Sequence, residues 1–473
     1  MRKQEGQNSR MKEILVVALI LLHTCSQVAT SGSHVEYLPG IEGPLPFHLE
    51  TGYVGVGDSA AEEGAGEVFY YFIESENNPQ EAPLMLWLTG GPGCSSFSGL
   101  VFEIGPIKAK IEKYNGSLPK MVFRPQAWTK ACSIIFVDLP LGTGFSYAKP
   151  PYLHRGDWSL IKHAHQFIRK WLNDHPRFLS NQIYIGGDSY SGTPVPVIVQ
   201  EISNGNEAGV QPWINLRGYV LGNPVTTMEE ESYLPSFAHG MALISNEIYM
   251  SLQKNCKGNY INIDPENKLC LRELETLHEL MSGLDIHITL KSKCGLASPR
   301  PHGFWSPRSL INKFRRHLSS DLPMPPISCR SYAYFLAYDW IRDDRVQEAL
   351  HIRKGTIRNW VGCKSDEYDF DIINSVPYHT NLSQKGYRSL IYNGDHDPLV
   401  PFMSTQAWIR DLNYSIVEDW RPWLANGQVA GYTRKYSNQM TFATVKGAGH
   451  VAPENKPNEC FEMFIRWISN KPL

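Results

Sequence analysis

The chain has 473 residues, of which 42% are hydrophobic and 19% charged, so a sizeable core is available and global disorder is excluded. At roughly 150 residues per domain, this length allows two or three domains or one large α/β unit. Lys plus Arg number 45 and Asp plus Glu 47, a formal net charge of -2; no basic surplus points to a nucleic-acid backbone, and no nucleic-acid partner is expected.

At the N-terminus, Arg2, Lys3, Arg10 and Lys12 precede the apolar run from Ile14 to Leu22, and small and polar residues follow from Ala29 to Ser33. This is the three-part pattern of a secretory signal peptide, assigned to residues 1–32. The apolar run has about half the ~20 residues that a bilayer span needs, so no stable membrane insertion is expected. Behind such a leader, cysteines read as disulfide material. Cys25 leaves with it, and the remaining eight suit a large core with a few bridges. No CxxC pattern occurs, which leaves zinc-ribbon and thioredoxin-type sites without ligands. Asn115, Asn381 and Asn413 head N-x-Ser sequons and are the expected glycosylation sites.

Further along, short apolar runs alternate with helix-like segments. Strands are expected at Val68 to Ile73, Leu84 to Leu88, Ile134 to Val137, Ile183 to Ile185, Tyr219 to Leu221, Leu390 to Tyr392 and Phe442 to Val445. Most run into Gly-rich turns, the mark of buried strands whose carboxyl ends carry a site. Trp158 to Leu172 repeats its apolar residues near a 3.6 period and predicts a helix. This alternation predicts an α/β sheet with helices on both faces. Residues 230–375 differ, with helix-like pieces at Leu271 to Met281 and Arg342 to Ile352. They are read as a helical lid inserted between core segments 33–229 and 376–473, with a Pro-, Ser- and Arg-containing linker at 295–328 that is a candidate for processing.

The sharpest local feature is Gly186-Gly187-Asp188-Ser189-Tyr190-Ser191-Gly192, directly after a strand. A serine on a tight strand-to-helix turn presents its hydroxyl above the sheet, as in a nucleophile elbow. The usual G-x-S-x-G is not met, because Ser191 stands where the second glycine belongs. Downstream, Asp397 follows one strand and His450 the last, the chain order expected for this fold. Serine needs an imidazole to take its proton, and the imidazole needs a carboxylate to hold its tautomer. Asp397 is preferred over Asp395, which is read as bracing the turn. The backbone N–H groups of Gly91 and Tyr190 are the expected oxyanion donors. Gly55-x-Gly57 reads as a hairpin turn. His163 and His165 are two residues apart on a predicted helix and face different sides, so no metal is expected; nor does any pattern call for a cofactor.

Trp87 to Pro106, Asp138 to Ala148, Gly186 to Gly192, Gly222 to Pro224, Asn393 to Asp397 and Gly447 to Pro457 together resemble the serine carboxypeptidase family. The resemblance spans about residues 35–473. It implies an α/β-hydrolase fold with a helical lid, and a Ser189–Asp397–His450 triad with Gly91 and Tyr190 as oxyanion donors. It further implies disulfides Cys94–Cys363, Cys256–Cys270 and Cys294–Cys329, with Cys132 and Cys460 free.

The family divides into carboxypeptidases and plant acyltransferases. In its peptidases, an Asn and two Glu bind the terminal carboxylate of the peptide. Here those positions hold Thr89, Glu103 and Asp188, beside Gly90. Thr89 lacks the amide donor, and Asp188 is one methylene shorter than Glu. The resemblance therefore implies an acyltransferase that moves an acyl group, phenolic by expectation, from a 1-O-β-acylglucose to an alcohol acceptor. A serine carboxypeptidase is the alternative. The expected product of the secretory pathway is a monomer or processed two-chain form, placed in the vacuole with the extracellular space as the alternative.

Overall fold

The computed structural model describes residues 32–57, 65–148, 155–294, 324–365 and 368–473. Residues 1–31 of the expected leader and 295–323 of the expected linker lie outside them.

A twelve-stranded mixed sheet organises the chain. Its centre runs Ser133–Val137, Leu84–Leu88, Ile183–Asp188, Leu216–Gly222, Arg388–Gly394 and Met440–Val445, each parallel to its neighbour. Antiparallel strands extend both edges, through Gly66–Ile73, Leu49–Val56 and Gly32–Val35 on one side and Gln428–Tyr436 and Ile416–Ala425 on the other. Gly57, at φ 85°, ends the strand that pairs with Gly66–Ile73. The seven expected strands all lie within observed ones. The pair at 416–436 was not foreseen, because its apolar residues lie mostly exposed among charged ones.

Both faces of the central strands are buried, so alternate side chains feed two apolar layers. Met85, Trp87, Ile134 and Phe136 pack with Phe464 and Trp467 of helix Pro457–Ile468. Leu84, Leu86, Ile135 and Val137 face the other way, toward Phe167 and Trp171 of helix Asp157–Asp174 and Ile198 and Ile202 of helix Pro194–Glu207. Each such buried side chain contributes ~1.5–3 kcal/mol of transfer free energy. The architecture is that of an α/β hydrolase.

Within 230–375, Phe237, Leu252, Cys256, Leu274 and Leu277 of the helices between 234 and 281 form a small core of their own. Tyr332, Leu336 and Trp340 of helix Arg330–Arg342 instead join the layer beneath the sheet. Their helical spacing forms an apolar stripe that this layer covers. The helix expected over 342–352 is interrupted at Asp343, which is extended (φ -67°, ψ 129°). Its carboxylate accepts the Arg345 N–H and starts a new short helix, Asp344–Ala349. Among the described residues, no helix is long and apolar enough to cross a membrane.

Candidate active site

The carboxyl end of strand Ile183–Asp188 turns abruptly into a short 3-10 turn, Ser189–Gly192, and then helix Pro194–Glu207. Ser189 has φ 54°, a left-handed backbone that costs a non-glycine residue of order 1 kcal/mol or more. Surrounding groups hold the turn tightly. A Cβ on Gly187 would meet the Leu88 carbonyl oxygen at 2.7 Å, and one on Gly192 would meet Pro224 Cβ at 2.5 Å. Ser191 fits where a second glycine was expected because its hydroxyl donates to the Leu88 carbonyl at 3.1 Å. The elbow therefore keeps its close packing with the glycine displaced by one position.

Loops from three neighbouring strands converge on Ser189. His450 Nε2 lies 2.7 Å from Ser189 Oγ, and His450 Nδ1 lies 2.8 Å from Asp397 Oδ2. A carboxylate only accepts, so Nδ1 carries the proton and Nε2 is left to accept from the serine hydroxyl. Asp397 is wholly buried. Asn223 Nδ2 also donates to its Oδ2 at 2.8 Å, and the Leu399 N–H donates to Oδ1 at 2.8 Å. Asp395 faces elsewhere, accepting the Gly447 N–H at 2.7 Å and contacting His396 Nδ1. It thus ties the acid loop to the histidine loop without touching the imidazole of His450.

The early loop closes over the elbow. A Cβ on Gly90 would lie 2.7 Å from Ser189 Cβ and from the Tyr190 nitrogen, so only glycine lets the two backbones approach this closely. Gly91 has φ 121°. Among the described residues, neither the Gly91 nor the Tyr190 N–H donates to a backbone carbonyl of another element. Tyr190 is anchored by its phenol, which donates to Asp157 at 2.8 Å; Tyr368 donates to the same carboxylate at 2.7 Å. Cys94–Cys363 pins this loop to residues 362–364, aided by Ser95 N–H to Gly362 O and Lys364 N–H to Gly93 O, each 2.8 Å. Asp138 braces it from beneath, accepting from Ser95 Oγ at 2.7 Å and the Ser96 N–H at 2.9 Å.

Thr89, Glu103 and Asp188 come from three different elements. Glu103 ends the wide helical turn Gly99–Glu103, whose carbonyls are gathered by the Arg124 guanidinium. Burial, with the nearby Asp188 and Glu454 carboxylates adding to it, pushes Glu103 well above the usual carboxylate range. Burial also pushes Asp188 up to about 6, opposed by His450 and by the Gly90 N–H that it accepts at 3.1 Å. Thr89 Oγ1 and Glu103 Oε2 are buried without a hydrogen-bond partner. Such orphan polar groups are costly, and they mark a place where a ligand's polar atoms would be welcome.

The remaining residues singled out in the sequence are also placed. Disulfides Cys256–Cys270 and Cys294–Cys329 are formed, while Cys132 and Cys460 are buried free thiols. Disulfides accord with a chain that matures outside the reducing cytosol. Asn115, Asn381 and Asn413 are all exposed. His163 is buried, and His165 Nε2 accepts from Arg169 Nε at 2.8 Å. Asn223, Asp138, Asp157 and Arg124 support the site but were not singled out. Asn223 sits in the Gly222-Asn223-Pro224 turn directly after a strand, which was the signal that the sequence offered, and the structure gives it a φ of 45°.

With this geometry in view, the family model for serine carboxypeptidases matches residues 39–470. The chain belongs to the serine carboxypeptidase family. Serine carboxypeptidase-like 11 of Arabidopsis thaliana is 50% identical over 466 residues, covering 98% of this chain and 100% of that relative. Serine carboxypeptidase-like 8 of the same plant is 49% identical over 461 residues, covering 97% and 100%. Among solved structures, the prohormone-processing carboxypeptidase Kex1 of Saccharomyces cerevisiae superposes with a TM-score of 0.71 at 21% identity. That match covers 92% of this chain and 95% of the yeast one, and establishes a shared fold. The family and the fold together make the chain an enzyme scaffold of the serine-hydrolase type.

Proposed function

We propose that the chain is an acyltransferase that works through a serine acyl-enzyme and takes its acyl group from a 1-O-β-acylglucose. Ser189 Oγ attacks the ester carbonyl while its proton passes to His450 Nε2. The carbon–oxygen bond to glucose then breaks, and His450 returns the proton to the departing sugar oxygen. In the second half, an alcohol hydroxyl attacks the acyl-enzyme, its proton again passes to His450, and Ser189 leaves with that proton. Asp397 holds the imidazole in the tautomer that both halves need. The Gly91 and Tyr190 N–H groups receive the oxyanion, where one such donor is typically worth ~2.7–4 kcal/mol.

The observation that carries the choice of substrate is the chemistry of the buried Thr89, Glu103 and Asp188 groups. They offer a hydroxyl and two carboxyls held toward neutrality by burial, and none of the three supplies an amide or a cation. A peptide's terminal carboxylate would be desolvated there with incomplete compensation, whereas the hydroxyls of a sugar can both donate and accept.

A carboxypeptidase is the second reading. The family description and the name of the yeast structure favour it, as does the retained acid pair, which in its protonated form could donate to a carboxylate. The deciding experiment offers the secreted protein several acyl glucoses with a mixed alcohol pool and, separately, blocked dipeptides, over a range of acid to neutral pH. Ester products identified by mass support the acyltransferase; ordinary peptide cleavage with no ester product from any donor replaces it with the carboxypeptidase. The proposed setting is the vacuole, reached through the secretory pathway, with a monomer or a processed two-chain enzyme acting on small molecules.

A further inference from the structure

Two elements that flank residues 295–328 in sequence close on one loop, the segment 447–455 that carries His450. The first is the hairpin formed by Leu284–Asp285 and Ile288–Ser292. Its His287 carbonyl accepts the His450 N–H at 2.6 Å, and its Thr289 N–H donates to the His396 carbonyl at 3.1 Å, one residue before Asp397. Contact is so close that a Cβ on Gly449 would lie 2.1 Å from the His287 carbonyl oxygen and 2.5 Å from Ile288 Cβ. The second element is the start of helix Arg330–Arg342. Arg330 Nε donates to both carboxylate oxygens of Glu454 at 2.8 Å, and Nη2 donates to Glu454 Oε2 at 2.5 Å. The Tyr334 hydroxyl donates to the same carboxylate at 2.9 Å. Arg330 is 4% and Glu454 16% exposed, so water competes weakly for this pair.

Glu454 lies in the short helix Ala452–Asn455, next to Asn455. Asn455 Oδ1 accepts the Gly449 N–H at 2.8 Å, the amide immediately before His450. The contacts therefore form one continuous path, from Arg330 through Glu454 and its helix to Asn455, then to Gly449 and His450. The hairpin grips the same backbone from the other side. Cys294, two residues past the hairpin, is bonded to Cys329, the residue before Arg330, so the two grips are covalently joined.

From this convergence we infer that Arg330 is a positioning residue for the catalytic histidine, one jaw of a disulfide-closed clasp whose other jaw is the His287 hairpin. The inference rests on the reading of His450 as the base of a serine enzyme. An imidazole serving Ser189 must keep two hydrogen bonds at once, of 2.8 and 2.7 Å, and its backbone has little intrinsic reason to stay put on a glycine-flanked loop. Because the clasp is closed by Cys294–Cys329, a cut between those residues would leave both jaws attached to one another.

The test compares Arg330→Met, Arg330→Lys, Glu454→Gln and Asn455→Ala in the full secreted protein, well below each variant's melting temperature. Arg345→Met, which removes an exposed ion pair with Asp343 on the neighbouring short helix, serves as control. Two readings are taken. One is kcat and KM for whichever acyl substrate the enzyme turns over. The other is the rate at which a serine-directed phosphonate modifies Ser189, which needs the Ser189–His450 geometry but no acyl substrate. Arg330→Met and Glu454→Gln are expected to lower kcat and the phosphonylation rate together, on the order of 10²-fold, with KM nearly unchanged. Arg330→Lys should recover part of the loss, since its ammonium can still donate to Glu454, and Asn455→Ala should fall between. The control should match the parent. If Arg330→Met does not fold, Glu454→Gln and Asn455→Ala decide the matter. Parental kcat and phosphonylation in the folded variants would overturn the proposal, and so would a rise in KM with kcat intact, which would make Arg330 a substrate contact. Ser189→Ala separates the two levels. If it stays active, the serine reading falls and takes the clasp with it; if it is inactive while the clasp variants are normal, only the clasp falls.

Discussion

Replacing Asp188 by Asn changes one oxygen for an NH₂ group and removes an ionisation directly beside Ser189. Asp188 is 6% exposed and its ordinary value of 3.8 is pushed up to about 6, first by burial. A carboxyl raised in this way contributes stability that is fully present below its unfolded value and is lost as pH rises through the folded one. Between pH 4.5 and 7.5 the ionisation of Asp188 should therefore weigh against the fold by about 2 kcal/mol, from roughly 1.4 kcal/mol per pH unit acting over most of that gap. The Asn variant escapes this loss and can still accept the Gly90 N–H that Asp188 accepts at 3.1 Å. Its melting temperature relative to the parent should climb with pH by about 4 °C over that window, at about 2 °C per kcal/mol for a large chain. Groups that do not interact with Asp188 are common to both proteins and cancel in the difference; Glu103, which the Asp188 charge helps to push up, is relieved of that charge in the variant. The assay is parallel thermal unfolding of parent and variant at four pH values and one scan rate. A difference that stays flat with pH, or that falls, would refute the claim that Asp188 is buried and held toward neutrality.

Ser189→Ala should fold and be secreted yet lose acyl transfer by several orders of magnitude, and a phosphonate label mapped by peptide mass should mark Ser189 in the parent; a label on another serine refutes the assignment. Asn223→Ala removes one of three hydrogen bonds to Asp397. Such a bond to a charged group is worth ~1.5–3 kcal/mol, so kcat should fall roughly ten- to hundred-fold, checked by steady-state kinetics with KM as the internal control. Thr89→Asn combined with Asp188→Glu restores the peptidase pattern and should raise carboxypeptidase activity relative to ester transfer, most clearly at acid pH where the two acids can share a proton. Rates on a blocked dipeptide and on an acyl glucose, measured side by side, check it.

Much of the site was legible in the order of residues because the relevant signals are local. A buried strand announces itself by a short apolar run, and a turn that must bring backbones together admits little besides glycine, as at Gly90 and Gly187. Ser189, Asp397 and His450 could thus be placed at the ends of their strands before any contact was known, and so could the preference for Asp397 over Asp395. The expected disulfides came with the family resemblance and not from their spacing.

What the chain order left open depends on contacts between residues far apart. No local pattern shows that Asn223 donates to Asp397 or that Arg124 gathers the carbonyls around Glu103, because an Asn in a turn and an Arg near a surface loop are unremarkable until the fold brings their partners near. The edge strands at 416–436 were missed because pairing, and not an alternating pattern, holds an exposed edge in place. The helix expected over 342–352 broke at Asp343 because a capping carboxylate outweighed an apolar period. Likewise, residues 230–375 read as one insertion, yet packing divides them between a small core of their own and the layer beneath the sheet. Sequence alone pointed to the family, to the positions of the seven buried strands and to Ser189, Asp397 and His450 as candidates, since each rests on short-range sterics and chemistry. Tertiary structure alone decided how Asp188 and Glu103 are held toward neutrality and how the His450 loop is gripped, since burial and charge proximity are properties of the assembled fold.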